Sequence, residues 1–195
     1  MIIVSTGKSP IELILDAYAQ SFVKSLSGGS APITAHLRSP ASKAVQVQTL
    51  LSSKPNVGLY FFGHGLKPPS AGFQADDGEP AVDQTNIKLL SGRTVVATCC
   101  FGDQIGKLAQ DNQFSLFGYE GGLYVPSHPH HVQDTETAAL AGPRAIASGA
   151  SPQAAAKIAR IEFRRLQHFL YNRNQPGDRP YALLAGINAT IANAW

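Results

Sequence analysis

Cysteine is scarce in this sequence, whose 195 residues include only two cysteines, the adjacent Cys99 and Cys100. A bridge between sequence neighbours is strained and rare, so the pair does not form the disulfide framework of a small secreted domain. We therefore expect a reducing compartment, the cytoplasm. In that compartment the sequon that begins at Asn188 would not meet the glycosylation machinery.

Charged residues are also few, at 15% of the sequence against 44% hydrophobic residues. This low charge content favours a surface that is partly covered by a partner protein. The formal net charge of +3 is too small to indicate nucleic-acid binding, and the chain has no run of Lys and Arg. Its densest basic stretch, Arg160 with Arg164 and Arg165, is typical of the solvated face of a helix.

Long apolar runs are absent as well. No window approaches the roughly 18 uninterrupted apolar residues of a membrane span, so no contact with a membrane is expected. The first residues lack a basic region and a long apolar stretch, so we also expect no signal peptide. The length of 195 residues favours one domain over positions 1–195, which is long enough to bury a core.

Short apolar runs alternate with helical patterns along the chain. We predict strands at 1–5, 33–37, before His64, before Cys99, at 114–119 and at 181–187. We predict helices from Ser9 to a stop at Ser27-Gly28-Gly29, from an N-cap at Ser42, at 84–90, from an N-cap at Asp103, after a polar His-rich loop at 127–134, and from Ser151. Alternation of this kind predicts an α/β fold, a three-layer sandwich with a mostly parallel central sheet flanked by helices.

Two of the predicted strands end in reactive residues. One apolar run delivers His64 and Gly65, and the next delivers Cys99 and Cys100. If the two runs pair as neighbouring parallel strands, both loops leave the same edge of the sheet. An imidazole beside a thiol converts it to the thiolate, which is the reactive nucleophile.

His64 is the candidate general base, because it lies at a strand tip between two glycines. A neutral histidine that merely caps a loop is the alternative, and the nearby thiol favours the base. Gly65 has no side chain, so its N–H can approach a developing oxyanion. Together with the N–H of Cys100 it would form a two-donor oxyanion hole.

Strand alternation sends Cys99 and Cys100 to opposite faces, so only one of them can be the nucleophile. Cys100 directly precedes the turn at Phe101 and Gly102, and the N-terminus of the next helix would lower its pKa. Cys99 is better interpreted as a small buried apolar residue. We therefore predict that Cys100 is the nucleophile.

A second cluster of reactive side chains lies in the His-rich segment. It contains His128, His130 and His131, with Asp134 and Glu136 close by. Histidine and carboxylate side chains can bind zinc, but a single proline-stiffened loop rarely supplies a closed shell. We expect a loop that faces a substrate or a partner, and no metal site.

The order of these motifs resembles a known family. The chain supplies Phe62-Gly-His64-Gly65, then Asp77-Gly78, then an apolar helix at 87–90, and finally the strand at 95–100 that ends in Cys100. This order resembles the caspase-like cysteine peptidases of clan CD, most closely the bacterial CHAT branch. The likeness covers residues 57–165, including 125–138 and 149–156.

The resemblance implies a cytoplasmic cysteine endopeptidase with a His64–Cys100 dyad, which requires no metal or organic cofactor. It implies a protein substrate and a regulatory partner that activates the enzyme, as in bacterial antiviral defence or cell-death pathways. No repeat array precedes the domain, so sensing would come from elsewhere. No third residue that orients His64 is evident, and the family commonly works as a dyad.

Substrate specificity is less well defined by the resemblance. Relatives that cleave after Arg or Lys often have Asp two residues before the nucleophile, where this chain has Thr98. Asp103 and Glu120 lie on loops that could complete a substrate pocket beside Thr98. Their alternative roles are a helix cap for Asp103 and a surface carboxylate for Glu120.

Two other functions fit the same residues. The chain could be a catalytically silent caspase-like scaffold that serves as a regulatory or assembly subunit. It could also use its thiol to hydrolyse amides or esters of small molecules.

Overall fold

The computed structural model describes residues 1–26 and 32–195. Strands and helices alternate through these residues, as the sequence pattern predicted. The elements are β1 (Ile2–Ser5), α1 (Pro10–Leu26), β2 (Ala35–Arg38), α2 (Ala44–Ser53), β3 (Leu59–Phe62), β4 (Phe73–Gln74), β5 (Pro80–Val82), a short 3₁₀ helix (Ile87–Leu90), β6 (Thr94–Thr98), α3 (Gly102–Ala109), β7 (Ser115–Tyr119), α4 (Pro129–Ala147), α5 (Pro152–Arg173), α6 (Asp178–Ile191) and β8 (Ala192–Ala194).

Six of the described strands form one sheet in the order β2-β1-β3-β6-β7-β8. All neighbours in it are parallel except β7 and β8, which are antiparallel. In sequence, β4 and β5 lie between β3 and β6, and they form a separate antiparallel hairpin outside this sheet. The predicted α/β fold with a mostly parallel sheet is confirmed.

Alternation along the strands divides the core between the two faces of the sheet. On one face the strand residues Ile3, Tyr60, Phe62, Val96 and Phe117 pack against α1, α4, α5 and α6. On the other face Ile2, Val4, Phe61, Val95 and Leu116 pack against α2, α3 and the hairpin. Because both faces are covered, every strand between the edges is apolar on both sides, and the fold is a three-layer sandwich.

The predicted strand at 181–187 is wrong. These residues lie within helix α6, and the last strand of the sheet is the three-residue β8. The buried residues Ala182, Ala185 and Ala189 recur at helical spacing along one face of α6. A short apolar run does not distinguish a strand from a buried helix, and here the helical interpretation is correct.

Several predicted boundaries also differ from the structure. The second strand begins at Ala35 rather than at residue 33. The predicted helix at 84–90 is reduced to the 3₁₀ turn, and α4 already begins at Pro129, within the predicted loop at 127–134. The predicted stop of α1 at Ser27-Gly28-Gly29 lies outside the described residues.

Neither of the two predicted side-chain caps is present. Helix α2 begins at Ala44, whose N–H donates to the Asp77 carboxylate at 3.2 Å, while the Ser42 hydroxyl donates to the carbonyl of Ser5. Helix α3 begins at Gly102, so Asp103 lies in its first turn rather than at the N-cap. The Asp77 carboxylate thus ties the hairpin turn to the start of α2. None of the described helices is long and apolar enough to cross a membrane.

Candidate active site

The register of the sheet brings the two predicted reactive residues to one edge. Phe62 at the end of β3 pairs with Thr98 at the end of β6, and the Gly63 N–H extends this ladder to the carbonyl of Thr98. His64 and Cys100 each lie two residues beyond the Phe62–Thr98 pair. Neighbouring strands run about 4.8 Å apart, so the backbones of His64 and Cys100 leave the sheet at neighbouring positions of the same edge.

Both residues line one open cleft with a volume of about 660 Å³. The residues that line it are His64, Gly65, Leu66, Lys67, Gln74, Cys100 and Phe101. The hairpin forms one wall of the cleft, because the Gln74 N–H donates to the carbonyl of His64 and the Leu66 N–H donates to the carbonyl of Gly72. The structure thus places His64 and Cys100 on one cleft at the same edge of the sheet.

Gly65 lies against the turn that carries the thiol. An ideal Cβ at this position would stand 1.9 Å from the carbonyl oxygen of Cys100 and 3.4 Å from the Sγ atom of Cys99. Gly65 also forms a β-bridge with Phe73, and the hydrogen bonds of that bridge are made by its neighbours Leu66 and His64. The bridge therefore leaves the Gly65 N–H free to serve as an oxyanion donor.

Cys100 is half-buried, and its thiol donates a weak hydrogen bond to the carbonyl of Leu123, with 3.9 Å between sulfur and oxygen. Burial raises the pKa of the Cys100 thiol above its ordinary value. The expected lowering of this pKa by α3 is therefore wrong for this conformation. Cys99 is fully buried, which raises its pKa further and confirms its interpretation as a core residue.

Phe101 forms the turn between the thiol and helix α3 in a left-handed conformation, with φ 59° and ψ 31°. A non-glycine residue in this region carries a strain of about 1 kcal/mol or more, and such strain is concentrated at functional sites. The Phe101 N–H donates to the carbonyl of Gly121 at 2.5 Å, which holds the turn. This turn allows α3 to begin two residues after Cys100, close to the end of β6.

His64 contacts two residues that were not predicted to belong to the site, Ser9 and Glu12. Its Nε2 atom lies 3.2 Å from the Ser9 hydroxyl and 3.9 Å from the Oε2 atom of Glu12. Both residues are at the start of α1, directly after the strand that pairs with β3. The Ser-x-x-Glu pattern at 9–12, which is typical of a capping box, was the available sequence signal.

The three predicted substrate-binding residues do not line the cleft. Thr98 is fully buried, so its side chain cannot reach a substrate. The Asp103 carboxylate accepts a hydrogen bond from the Gly121 N–H at 3.1 Å, and the Glu120 carboxylate accepts one from the Asn193 side chain. The structure places Lys67, Gln74 and Phe101 at the cleft instead.

The His-rich segment is not a substrate-facing loop throughout. His131 is buried, with its Nε2 atom 3.0 Å from the Asp178 carboxylate and its ring stacked on Tyr181 at a centroid distance of 3.9 Å. His128 and His130 remain at the surface. In the described part of the chain, no three His, Cys, Asp or Glu side chains converge as a metal site would require.

Comparison with protein-family models gives no match for this chain, and comparison with curated proteins gives none either.

Proposed function

We propose that this chain is a caspase-like cysteine endopeptidase that hydrolyses peptide bonds of a protein substrate. The observation that carries the proposal is the position of His64 and Cys100, which follow adjacent parallel strands in register and line the same open cleft. A nucleophile and a base on neighbouring loops of a rigid sheet are the arrangement that thiol-dependent acyl transfer needs.

The reaction begins when His64 accepts the proton of the Cys100 thiol. The thiolate attacks the peptide carbonyl carbon and forms a tetrahedral intermediate with a negative oxygen. As this intermediate collapses, the C–N bond breaks and protonated His64 gives its proton to the departing amine. Water then attacks the thioester, with His64 as the base, and releases the carboxylate product and the free thiol.

The oxyanion is stabilised by the N–H groups of Gly65 and Cys100. Gly65 suits this role because its N–H is outside the bridge to Phe73, and a side chain at this position would collide with the Cys100 carbonyl. Loss of one oxyanion donor typically lowers kcat by about 10² to 10³-fold. The hairpin and the Phe101 turn form the walls between which a peptide would lie.

The enzyme would be held at low activity until a protein partner binds, in the cytoplasm of a bacterium that uses it in defence or cell death. The contact between the Cys100 thiol and the Leu123 carbonyl supports this part of the proposal, because burial keeps the thiol protonated. A partner or a bound peptide that turned Sγ away from Leu123 towards His64 would raise its reactivity. The resemblance to the bacterial CHAT branch supports the proposed pathway.

Two measurements test the proposal: digestion of a proteome-derived peptide library, and labelling by a library of peptidyl electrophiles. Without a partner we expect slow cleavage and labelling by the wild type, and neither above background for Cys100→Ala or His64→Ala. Cys99→Ala is the matched control, because this buried cysteine is adjacent in sequence but lies outside the cleft, and it should behave like the wild type.

A silent scaffold is the second candidate, and the raised pKa of Cys100 favours it. It predicts that His64→Ala has no effect on the rate at which any electrophile labels Cys100. It also predicts that Cys100→Ala leaves binding to protein partners intact. Equal, slow labelling of the wild type and His64→Ala would replace the peptidase proposal with the scaffold.

A further inference from the structure

The start of helix α1 lies beside the His64 loop because of the order of strands. β1 pairs with β3, with Ser5 opposite Phe62, and the Thr6 N–H continues the ladder to the carbonyl of Phe62 at 3.0 Å. The residues that follow β1 therefore run alongside those that follow β3. This places Ser9 and Glu12 next to the imidazole of His64.

Ser9 and Glu12 form a reciprocal capping box. The Glu12 N–H donates to the Ser9 hydroxyl at 3.2 Å, and the Ser9 N–H donates to the Glu12 carboxylate at 2.7 Å. A capping box accounts for these two N–H groups at a helix start. It does not explain why the His64 imidazole lies against the Ser9 hydroxyl, or why Glu12 is so deeply buried.

Glu12 is only 4% exposed, which is unusual for a carboxylate. Burial opposes its ionisation, but the hydrogen bond from the Ser9 N–H and the nearby His64 act against burial, and the pKa of Glu12 lies below its ordinary value. A buried, ionised carboxylate therefore lies 3.9 Å from the Nε2 atom of His64.

The protons of this cluster can be assigned by their partners. The Glu12 carboxylate, 3.9 Å from Nε2 of His64, favours the tautomer that carries its proton on that nitrogen. The Ser9 oxygen can then accept from the Nε2–H of His64, 3.2 Å away. A neutral imidazole with its proton on Nε2 has its lone pair on Nδ1, which is the atom that can act as a base.

We propose that Ser9 and Glu12 are the positioning residues of His64, and that they hold its proton on Nε2 so that Nδ1 is the base towards Cys100. The base role of His64 rests on the proposed function, whereas the proton position does not. The chain then orients His64 through these two side chains in place of an unassisted dyad.

The test is the ring N–H proton of His64, observed by nuclear magnetic resonance of the full chain labelled with ¹⁵N and assigned with a His64→Gln variant. We expect the wild type to give a protected Nε2–H signal. Ser9→Ala should lose this signal to solvent exchange. Ser9→Thr should restore it, because threonine keeps the hydroxyl and the cap.

Glu12→Gln separates positioning from helix capping, because glutamine serves equally in a capping box but carries no charge. We expect its helix content to equal that of the wild type, while the Nε2–H signal loses protection and labelling of Cys100 by peptidyl electrophiles slows at least about tenfold. Glu162→Gln, which removes a carboxylate of α5 paired with Arg165, is the control and should change neither readout.

The outcomes distinguish this inference from the proposed function. A wild type without a protected Nε2–H signal, or a signal unchanged in both Glu12→Gln and Ser9→Ala, would overturn the positioning role. Labelling of Cys100 that is unaffected by His64→Gln would instead overturn the peptidase proposal. The position of the proton is measured without catalytic turnover. Either the positioning role or the peptidase proposal can therefore be contradicted without the other.

Discussion

The carbonyl oxygen of Cys100 lies against Gly65 so closely that a Cβ built at residue 65 would stand 1.9 Å from it. Real Cβ atoms are not found within 3.0 Å of such an atom, and a backbone carbonyl cannot rotate away as a side chain can. Any residue other than glycine must therefore force the two strand ends apart. The distance between His64 and Cys100 depends on this contact.

We therefore expect Gly65→Ala to slow labelling of Cys100 by peptidyl electrophiles about 100-fold, because a displacement of about 1 Å at a reacting group has an effect of that order. The free energy of unfolding should fall by about 1–3 kcal/mol through overpacking. Urea unfolding and the labelling rate measure the two effects.

Gly122→Ala is the matched control for this substitution. A Cβ at Gly122 would meet no heavy atom within 4 Å, although this residue is also in the loop near the thiol. It should retain both the stability and the reactivity of the wild type. Equal behaviour of the two alanine variants would contradict the role of close packing at Gly65.

The reactivity of Cys100 should depend on pH in a direction set by burial. Because burial raises the pKa of the thiol, its thiolate fraction at pH 7 is below that of a free cysteine. We expect iodoacetamide to label Cys100 more slowly than free cysteine at pH 7. The rate should still be rising at a pH where that of free cysteine has levelled off.

The measurement uses Cys99→Ala, in which Cys100 is the remaining thiol, across a range from pH 6 to pH 10. In Cys100→Ala the remaining thiol is Cys99, and it should stay unlabelled in the folded state because it is fully buried. Faster labelling of Cys100 than of free cysteine at pH 7 would show that the thiol is already activated, and would contradict the proposed resting state.

Much of the fold follows from the sequence because the strands are short, apolar and separated by helices. The pairing of β3 with β6 follows from two such runs with reactive ends, and the structure confirms it. The last segment was harder to predict, because an apolar run such as 181–187 fits a buried strand and a buried helix equally. This segment forms a helix because it packs against α5, and a tertiary contact of this kind cannot be predicted from a local sequence pattern.

The position of His64 and Cys100 at one sheet edge could be predicted from the sequence, but the surroundings of this edge could not. His64 and Cys100 follow strands whose neighbours can be inferred, whereas Glu12 reaches the site from a helix whose start lies more than 50 residues away in the chain. The placement of Thr98 also needed the structure, since strand alternation does not say how completely the helices cover the face of the sheet to which Val96 and Thr98 point. Lys67 was not predicted as a site residue because it lies on the loop that follows the His64-Gly65 motif rather than in the motif itself.

The charge of the cleft gives a prediction about the peptides that the proposed peptidase would prefer. Of the described residues that line it, Lys67 carries a positive charge and none is Asp or Glu. If the chain is a peptidase, we expect acidic side chains next to the cleaved bond to be favoured over basic ones. Lys67→Glu should shift the ratio of kcat/KM for acidic and basic peptides about threefold to fivefold towards the basic ones, since exposed charge pairs are weak.

Lys107→Glu is the control for Lys67, because Lys107 is a surface lysine of α3 that pairs with Asp103 and lies outside the cleft. For Lys107→Glu, the ratio of kcat/KM for acidic and basic peptides should equal that of the wild type. The shift for Lys67→Glu should also shrink in 1 M salt, where the screening length is about 3 Å. A ratio that does not respond to Lys67→Glu would remove this residue from the substrate site.

Asp178 forms the centre of a buried charge network at the start of α6, outside the cleft. Its carboxylate accepts hydrogen bonds from two nitrogens of Arg173, at 2.9 and 2.7 Å, and from the Gln175 N–H at 2.9 Å, and it contacts His131. The bonds from Arg173 are the main cause of a pKa of Asp178 well below the ordinary value. This network should stabilise the fold in a pH-dependent way.

We expect Asp178→Asn to lower the free energy of unfolding at pH 7. The folded-state pKa is depressed, so the stabilisation is fully present above the unfolded pKa of about 4 and is lost as pH falls towards the folded value. The difference between the wild type and Asp178→Asn should therefore be constant from pH 5 to pH 7 and shrink below pH 4. Urea unfolding at each pH measures it, with the surface variant Asp111→Asn as the control. A difference as large at pH 2.5 as at pH 7 would mean that Asp178 acts through packing rather than charge.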